Sequence, residues 1–168
     1  AAAETGGDDE PTQLRNAQRR IRDAYFDHDA GLFVLNCNPG VGKTVTVVDV
    51  AAETVLQRYV DGDSTPEQRI CVISFARDDA AAFVPKIVAR LRELVEHDMT
   101  PAATAVSEAD LECLVQRVRR APLVGTIDSV FRSVLGEFVT DVGFDAMPAV
   151  GNEGQLARLH ADCYEAVA

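Results

Sequence analysis

The segment that most restricts the fold of this chain lies between an apolar run and a helix-like stretch. Its residues are Cys37-Asn38-Pro39-Gly40-Val41-Gly42-Lys43-Thr44. Gly40 and Gly42 let the backbone curl so that successive N–H groups point into one concavity, and a helix that begins near Lys43 adds the positive end of its dipole. With the strand-like run 31–36 before it, the segment is typical of a phosphate-binding loop, G-x-x-x-x-G-K-[ST], in which Cys37 stands for the first glycine.

This loop predicts a site for a nucleoside triphosphate with Mg²⁺. The Lys43 ammonium can reach the β and γ phosphates, and the Thr44 hydroxyl can coordinate the Mg²⁺ ion that bridges them, so these two are the predicted catalytic residues. The other predicted nucleotide contacts come from Asn38, Pro39, Gly40, Val41 and Gly42. The alternative is a G-x-G-K-T sequence that occurs by chance in a glycine-rich loop, but the strand before it and the helix after it favour the nucleotide site.

Length and charge restrict the class of protein more than its partners. With 168 residues and 47% hydrophobic residues, the chain is long enough for one globular domain with its own core. The net charge is −11, and Lys43 and Lys86 are the only lysines. This pattern is typical of halophilic proteins, whose acidic surfaces hold water and counterions; an ordinary acidic cytosolic protein is the alternative. Neither a halophilic protein nor an ordinary acidic protein is excluded from binding nucleic acid by its charge.

The cysteines and the apolar segments indicate a cytoplasmic, soluble protein. The four cysteines are far apart and form no C-x-x-C pair, so the sequence predicts neither a zinc site nor a redox pair. The sequence shows no basic start followed by an apolar stretch, and no apolar run is long enough to span a bilayer.

Apolar periodicity predicts alternating helices and strands. We expect a disordered tail over 1–11 and order from about Thr12. Helices are predicted over 14–25, from Lys43 to about 59, and over 78–97 with a kink or interruption near Pro85. Further helices are predicted from Ser107 to 120, from the end of the strand 122–127 to 138, and over 153–168. Strands are predicted over 32–36, 70–75 and 122–127. Alternation of this kind predicts an α/β parallel sheet with right-handed crossovers.

Several segments follow the order seen in superfamily 1 DNA helicases of the UvrD/Rep type, which the chain resembles from about Thr12 to Ala168. Residues 14–18, Leu-Arg-Asn-Ala-Gln, are similar to the L-N-x-x-Q segment of that family. The resemblance implies that Gln18 recognises the adenine edge and so selects ATP, because an amide can donate and accept at the same base. The alternative is a solvated glutamine on an exposed helix.

Two further segments resemble DNA-contacting motifs of the same family. Residues 73–83 are similar to T-F-T-N-K-A-A, which implies that Phe75 stacks on a base and that Arg77 pairs with a phosphate of single-stranded DNA. A buried core position is the alternative for Phe75. Residues 125–131 are similar to G-T-F-H-S, which implies that Thr126 faces the strand-binding groove. Asp128 stands where the family has His, and we interpret it as a helix N-cap.

The resemblance implies a fold and an activity. The fold would be a RecA-like P-loop NTPase, a parallel sheet flanked by helices, with a partial motor subdomain over 12–140. Residues 141–168 would be a linker and the first helix of an inserted helical subdomain. The activity would be that of an ATP-dependent DNA helicase of repair or recombination, with ATP and Mg²⁺ as cofactors and single-stranded or partly duplex DNA as partner.

Hydrolysis also needs strand-end carboxylates and an arginine finger, which we do not find in the sequence. The resemblance implies that they belong to helicase domains beyond Ala168, and that this chain alone is weakly active or inactive. The alternatives are a stand-alone nucleotide-binding regulatory module and an AAA-type ATPase.

Overall fold

Apolar side chains at helical spacing form most of the core. The computed structural model describes residues 14–28, 34, 40, 42–141, 143 and 145. Within these residues the α-helices are α1 (Asn16–Phe26), α2 (Lys43–Val60), α3 (Arg77–Glu96), α4 (Pro101–Thr104), α5 (Glu108–Val118) and α6 (Ile127–Glu137). A 3-10 helix covers Pro66–Arg69, and the two strands are β1 (Val72–Ser74) and β2 (Val124–Thr126).

Three helices supply the most deeply buried side chains. α2 packs against α1 and α3, and α3 packs against α5. Most of the large apolar side chains that are almost fully enclosed lie on α2, α3 and α5: Val55, Leu56, Ile87, Leu91, Leu94, Leu114, Val115 and Val118. Burial of each such side chain stabilises the fold by about 1.5–3 kcal/mol relative to its exposure. The contacts among α2, α3 and α5 therefore fix the position of the start of α2.

The two strands are parallel and bring two distant segments together. The paired residues are Val72 with Val124, Ile73 with Gly125, and Ser74 with Thr126. Because the strands are parallel, their carboxyl ends lie at the same edge of the sheet. α3 begins three residues after β1, and α6 begins directly after β2. The segment after Ser74 and the residue Thr126 are therefore neighbours in space.

The predicted RecA-like architecture, a parallel sheet flanked by helices, is wrong for this structure. The described residues are 66% helical, and their sheet has two strands of three residues each. The runs 70–75 and 122–127 predicted longer, buried strands, but Ile73 is 43% exposed and the three β2 residues are only half-buried. The helix faces enclose the core instead, because they carry most of the large apolar side chains.

Several predicted helices are confirmed within a few residues. α2 and α3 begin and end close to the predicted limits, and the Ser107 side chain caps α5 by accepting the Asp110 N–H at 3.2 Å. The predicted interruption near Pro85 is wrong, since α3 is a single helix from Arg77 to Glu96, while the kink stays a prediction. Pro85 and Ala81 are both exposed, so water can reach the carbonyl that proline leaves without a partner. Of the predicted strand 32–36 only Val34 is described, and it is 71% exposed; the predicted helix 153–168 lies outside the described residues.

The chain divides into two compact units, residues 1–130 and residues 131–168. The boundary falls within α6. In the second unit the structure describes residues 131–141, 143 and 145, which comprise the rest of α6 and the turn after it. No helix in the described part of the chain has the length and apolar character needed to cross a membrane.

Candidate nucleotide site and adjoining strand ends

The start of α2 presents the residues predicted to hold phosphate. Gly42 precedes the helix with φ +86° and ψ +29°, and the exposed Gly40 has φ +80°, a left-handed region that favours glycine. Lys43 and Thr44 are the first two residues of α2, and both are exposed. The first turn contains no acidic residue. The N–H groups at the start of a helix point along its axis and suit an anion.

The side chain of Gln18 connects α1 to this helix start. Its Oε1 accepts the Arg15 N–H at 2.9 Å, and its Nε2 donates to the Gly42 carbonyl at 3.2 Å. Gln18 is only 7% exposed. The interpretation of Gln18 as a solvated helical residue is therefore wrong. An amide has two N–H groups and two acceptor lone pairs, so one of each remains beyond these two bonds.

The approach between Gln18 and Gly42 leaves no room for a side chain at residue 42. A Cβ atom built on Gly42 would lie 2.3 Å from Gln18 Nε2. The Gly42 carbonyl also accepts the Thr46 N–H at 3.2 Å, as part of the first helical turn. Two separate requirements, a positive φ and this close contact, thus select glycine at this position.

A buried ion pair joins α2 to α3 and was not predicted from the sequence. The Asp49 side chain is 1% exposed, and its Oδ1 accepts from Arg90 Nη2 at 2.6 Å and from Arg90 Nε at 2.7 Å. Arg90 Nη1 also pairs with Glu93 Oε2 at 2.7 Å. Asp49 Oδ2 is buried without a hydrogen bond. The sequence feature that could have predicted this pair is Asp49 itself, a carboxylate within the apolar run of α2. A buried carboxylate requires a cationic partner.

One turn further along α2, Glu53 faces Arg22 of α1. Arg22 Nε lies 3.6 Å from Glu53 Oε2, and Glu53 is only 6% exposed. Burial raises the pKa of Glu53 above its usual range, while Arg22 opposes the shift. Together with the ion pair between Asp49 and Arg90, this contact fixes α2 between α1 and α3. These three helices carry Gln18, the Lys43-Thr44 pair and Arg77.

The predicted DNA-contacting residues lie near the carboxyl edge of the sheet. Phe75 follows β1 and is 91% exposed, so its interpretation as a core residue is wrong. Arg77 is exposed at the start of α3, and Thr126 ends β2 opposite Ser74. Parallel pairing therefore brings these segments together although about 50 residues separate them.

Thr126 also caps α6. Its hydroxyl oxygen accepts the Ser129 N–H at 3.3 Å, and Ser129 Oγ donates to the Thr126 carbonyl at 2.8 Å. The predicted N-cap role of Asp128 is wrong, because Asp128 lies inside the first turn of the helix. A carboxylate in a first turn still interacts favourably with the helix dipole.

The residues present fit a polyphosphate with a metal ion bound mainly through the nucleotide. Among the described residues, no three His, Cys, Asp or Glu side chains are close enough together to hold a metal ion. Thr44 would supply one hydroxyl ligand, and phosphate oxygens and water would supply the others, as Mg²⁺ prefers. The predicted contacts at Asn38, Pro39 and Val41 lie outside the described residues.

Comparisons of this chain with protein-family models, with curated proteins and with solved structures found no match. The resemblance to superfamily 1 helicases therefore depends on the motifs alone.

Proposed function

We propose that this chain is the N-terminal ATP-binding part of an ATP-dependent, cytoplasmic DNA helicase of repair or recombination. The observation that carries the proposal is the hydrogen bond from Gln18 Nε2 to the Gly42 carbonyl. It places the residue expected to recognise adenine against the residue that precedes Lys43 and Thr44. This local arrangement and the adjoining strand ends are the features that support a helicase, since the described sheet is not RecA-like.

Each residue at the start of α2 has a defined chemical task in this proposal. The N–H groups of the first turn bind phosphate oxygens, and the Lys43 ammonium offsets their charge. Thr44 would contribute a hydroxyl ligand to Mg²⁺, and the ion would neutralise phosphate charge. The remaining N–H and lone pair of Gln18 match the acceptor and donor on the adenine edge, which favours ATP over GTP.

The carboxyl edge of the sheet supports single-stranded DNA as the partner. Phe75 offers an aromatic face to solvent, and stacking of one base on such a ring contributes about 1–3 kcal/mol. Arg77 can pair with a phosphate, and Thr126, whose hydroxyl donates to Ser129 Oγ at 3.2 Å, can redirect that proton to another phosphate. None of these contacts reads a base edge, so binding would be independent of sequence.

Nucleotide binding is tested by titrating the chain with fluorescent ATP and GTP analogues in the presence of Mg²⁺. We expect Lys43→Ala to raise the Kd for ATP by about tenfold or more, as loss of one charge-assisted contact does. Arg58→Ala is the matched control, because it removes one exposed positive charge from the other end of α2. Absence of ATP binding by the wild-type chain, or equal binding by the two variants, would refute the proposal.

DNA binding is tested with Phe75→Ala and a labelled single-stranded oligonucleotide. We expect affinity to fall by roughly tenfold, within the range for loss of one stacked base, while the thermal midpoint stays unchanged. Phe138→Ala is the control, since Phe138 is also exposed, at 51%. If both variants bind as the wild type does, the DNA part is wrong. Tight ATP binding without any DNA binding would then favour a regulatory nucleotide-binding module.

A further inference from the structure

A groove between α2 and α3 borders Thr44. Its cavity has a volume of about 330 Å³. Thr44, Val45 and Val48 line it from α2, and Lys86, Arg90 and Glu93 line it from α3. The groove therefore extends from the predicted Mg²⁺ ligand to basic side chains that belong to a different part of the sequence.

The charges in this groove are not equally available to a ligand. Arg90 is held by Asp49 at 2.6 Å and by Glu93 at 2.7 Å, so two carboxylates already offset its charge. Lys86 is exposed and has no carboxylate within 4.0 Å among the described residues. The cluster of Arg90, Asp49 and Glu93 has one carboxylate more than it has cations, and Lys86 is the cation of the groove that no described carboxylate contacts directly.

The chain uses lysine only at this place. Of its 16 basic residues, 14 are arginine, and the two lysines are Lys43 and Lys86. Lys43 precedes Thr44 in the sequence, and Lys86 lies across the groove from it. An ammonium on a flexible stem is a compact charge with three donors that can follow a phosphate group, whereas a guanidinium presents a rigid planar fork. Val45 and Val48 give the apolar stem a surface to pack on.

We propose that Lys86 is a second phosphate-binding lysine, which contacts the terminal phosphate of the bound nucleotide from the side of α3. The proposal rests on the function proposed above and deepens it. Because Thr44 is the residue assigned to the ion between the β and γ phosphates, a cation beside it acts on the distal end of the polyphosphate. Lys86 would therefore favour triphosphate over diphosphate.

The test compares Lys86→Gln, Lys86→Arg and Arg92→Gln in titrations with fluorescent ATP and ADP analogues and Mg²⁺. Arg92→Gln is the matched control, because it makes the same charge change on α3 at a residue that pairs with Glu112 at 2.7 Å. We expect Lys86→Gln to raise the Kd for ATP by about tenfold and that for ADP by about twofold at most. Lys86→Arg should regain part of the affinity, and Arg92→Gln should stay within about twofold of the wild type.

The outcomes separate this inference from the function it rests on. If the wild-type chain binds no ATP, both are overturned. A second outcome is that the wild type binds ATP, that Lys43→Ala does not, and that Lys86→Gln binds ATP as tightly as the wild type. In that case only the role of Lys86 is overturned. The same holds if Lys86→Gln weakens binding of a single-stranded oligonucleotide while its affinity for ATP is unchanged, since Lys86 would then contact DNA phosphate.

Discussion

The ion pair between Arg90 and Asp49 allows a direct test of how α2 packs against α3. We consider Arg90→Met, which keeps a long apolar stem and removes the guanidinium. The side chains of Arg90 and Asp49 are 7% and 1% exposed. Without Arg90, the Asp49 carboxylate would be buried with neither a cation nor water to offset its charge.

The expected loss of stability is large because of that burial. Removal of one partner of a buried ion pair costs about 3–5 kcal/mol, whereas an exposed pair contributes about 0.2–1 kcal/mol. Arg92→Met provides the comparison on the same helix. Arg92 pairs with Glu112 at 2.7 Å, but these side chains are 40% and 52% exposed. Arg90→Met removes the buried pair with Asp49 and also the pair with Glu93, whereas Arg92→Met removes one exposed pair, and we expect losses that differ by about 2 kcal/mol or more.

The measurement is urea unfolding followed by far-UV circular dichroism, with the free energy of unfolding taken from the midpoints at a common slope. The double variant Asp49→Leu with Arg90→Met should return to within about 1 kcal/mol of the wild type or exceed it, because apolar side chains then replace both members of the buried pair. Equal losses for Arg90→Met and Arg92→Met would refute the reasoning, since Asp49 would then have to be hydrated and the described contact between α2 and α3 would be wrong.

Two further substitutions test the surroundings of the candidate site. Gly42→Ala should lower the free energy of unfolding by about 1–3 kcal/mol, a larger loss in thermal unfolding than that of Gly62→Ala. Both glycines have positive φ, but only at Gly42 would the new Cβ meet Gln18 Nε2, at 2.3 Å. Equal losses would contradict that contact. Glu53→Gln should remove a decline in stability with rising pH, because a folded-state pKa raised above 4.5 means that the folded protein binds the proton more tightly than the unfolded chain. The decline begins near pH 4.5 and ends above the raised pKa. If the free energy of unfolding depended on pH in the same way in Glu53→Gln and in the wild type, this role of Glu53 would be contradicted.

Local sequence patterns were sufficient to predict the helices that form the core. The apolar residues of α3 recur at helical spacing, and Ile87, Val88, Leu91 and Leu94 are buried. The start of α5 at Ser107 was also predicted, because a helix start depends on residues within one turn. The continuity of α3 through Pro85 was not, since it depends on whether the affected carbonyl faces solvent.

The extent of the sheet could not be read from the sequence. A short apolar run fits a strand or the edge of a helical core equally well, and neighbouring elements decide between them. The runs around Ile73 and Gly125 pair over three residues only, and their side chains are less buried than those on the helices. The α/β parallel sheet predicted from the alternating patterns, and the RecA-like fold implied by the resemblance, were therefore wrong.

The sequence by itself determined the glycine-lysine-threonine start of α2, because backbone freedom and side-chain chemistry are properties of single residues. Tertiary structure alone decided that Gln18 bonds to Gly42, that Asp49 is paired with Arg90, and that Lys86 shares a groove with Thr44. These pairs are 24 to 42 residues apart, so no local pattern links them. Only the packing of α1, α2 and α3 makes each pair adjacent, and it is this packing that turns a phosphate-binding motif into a candidate site.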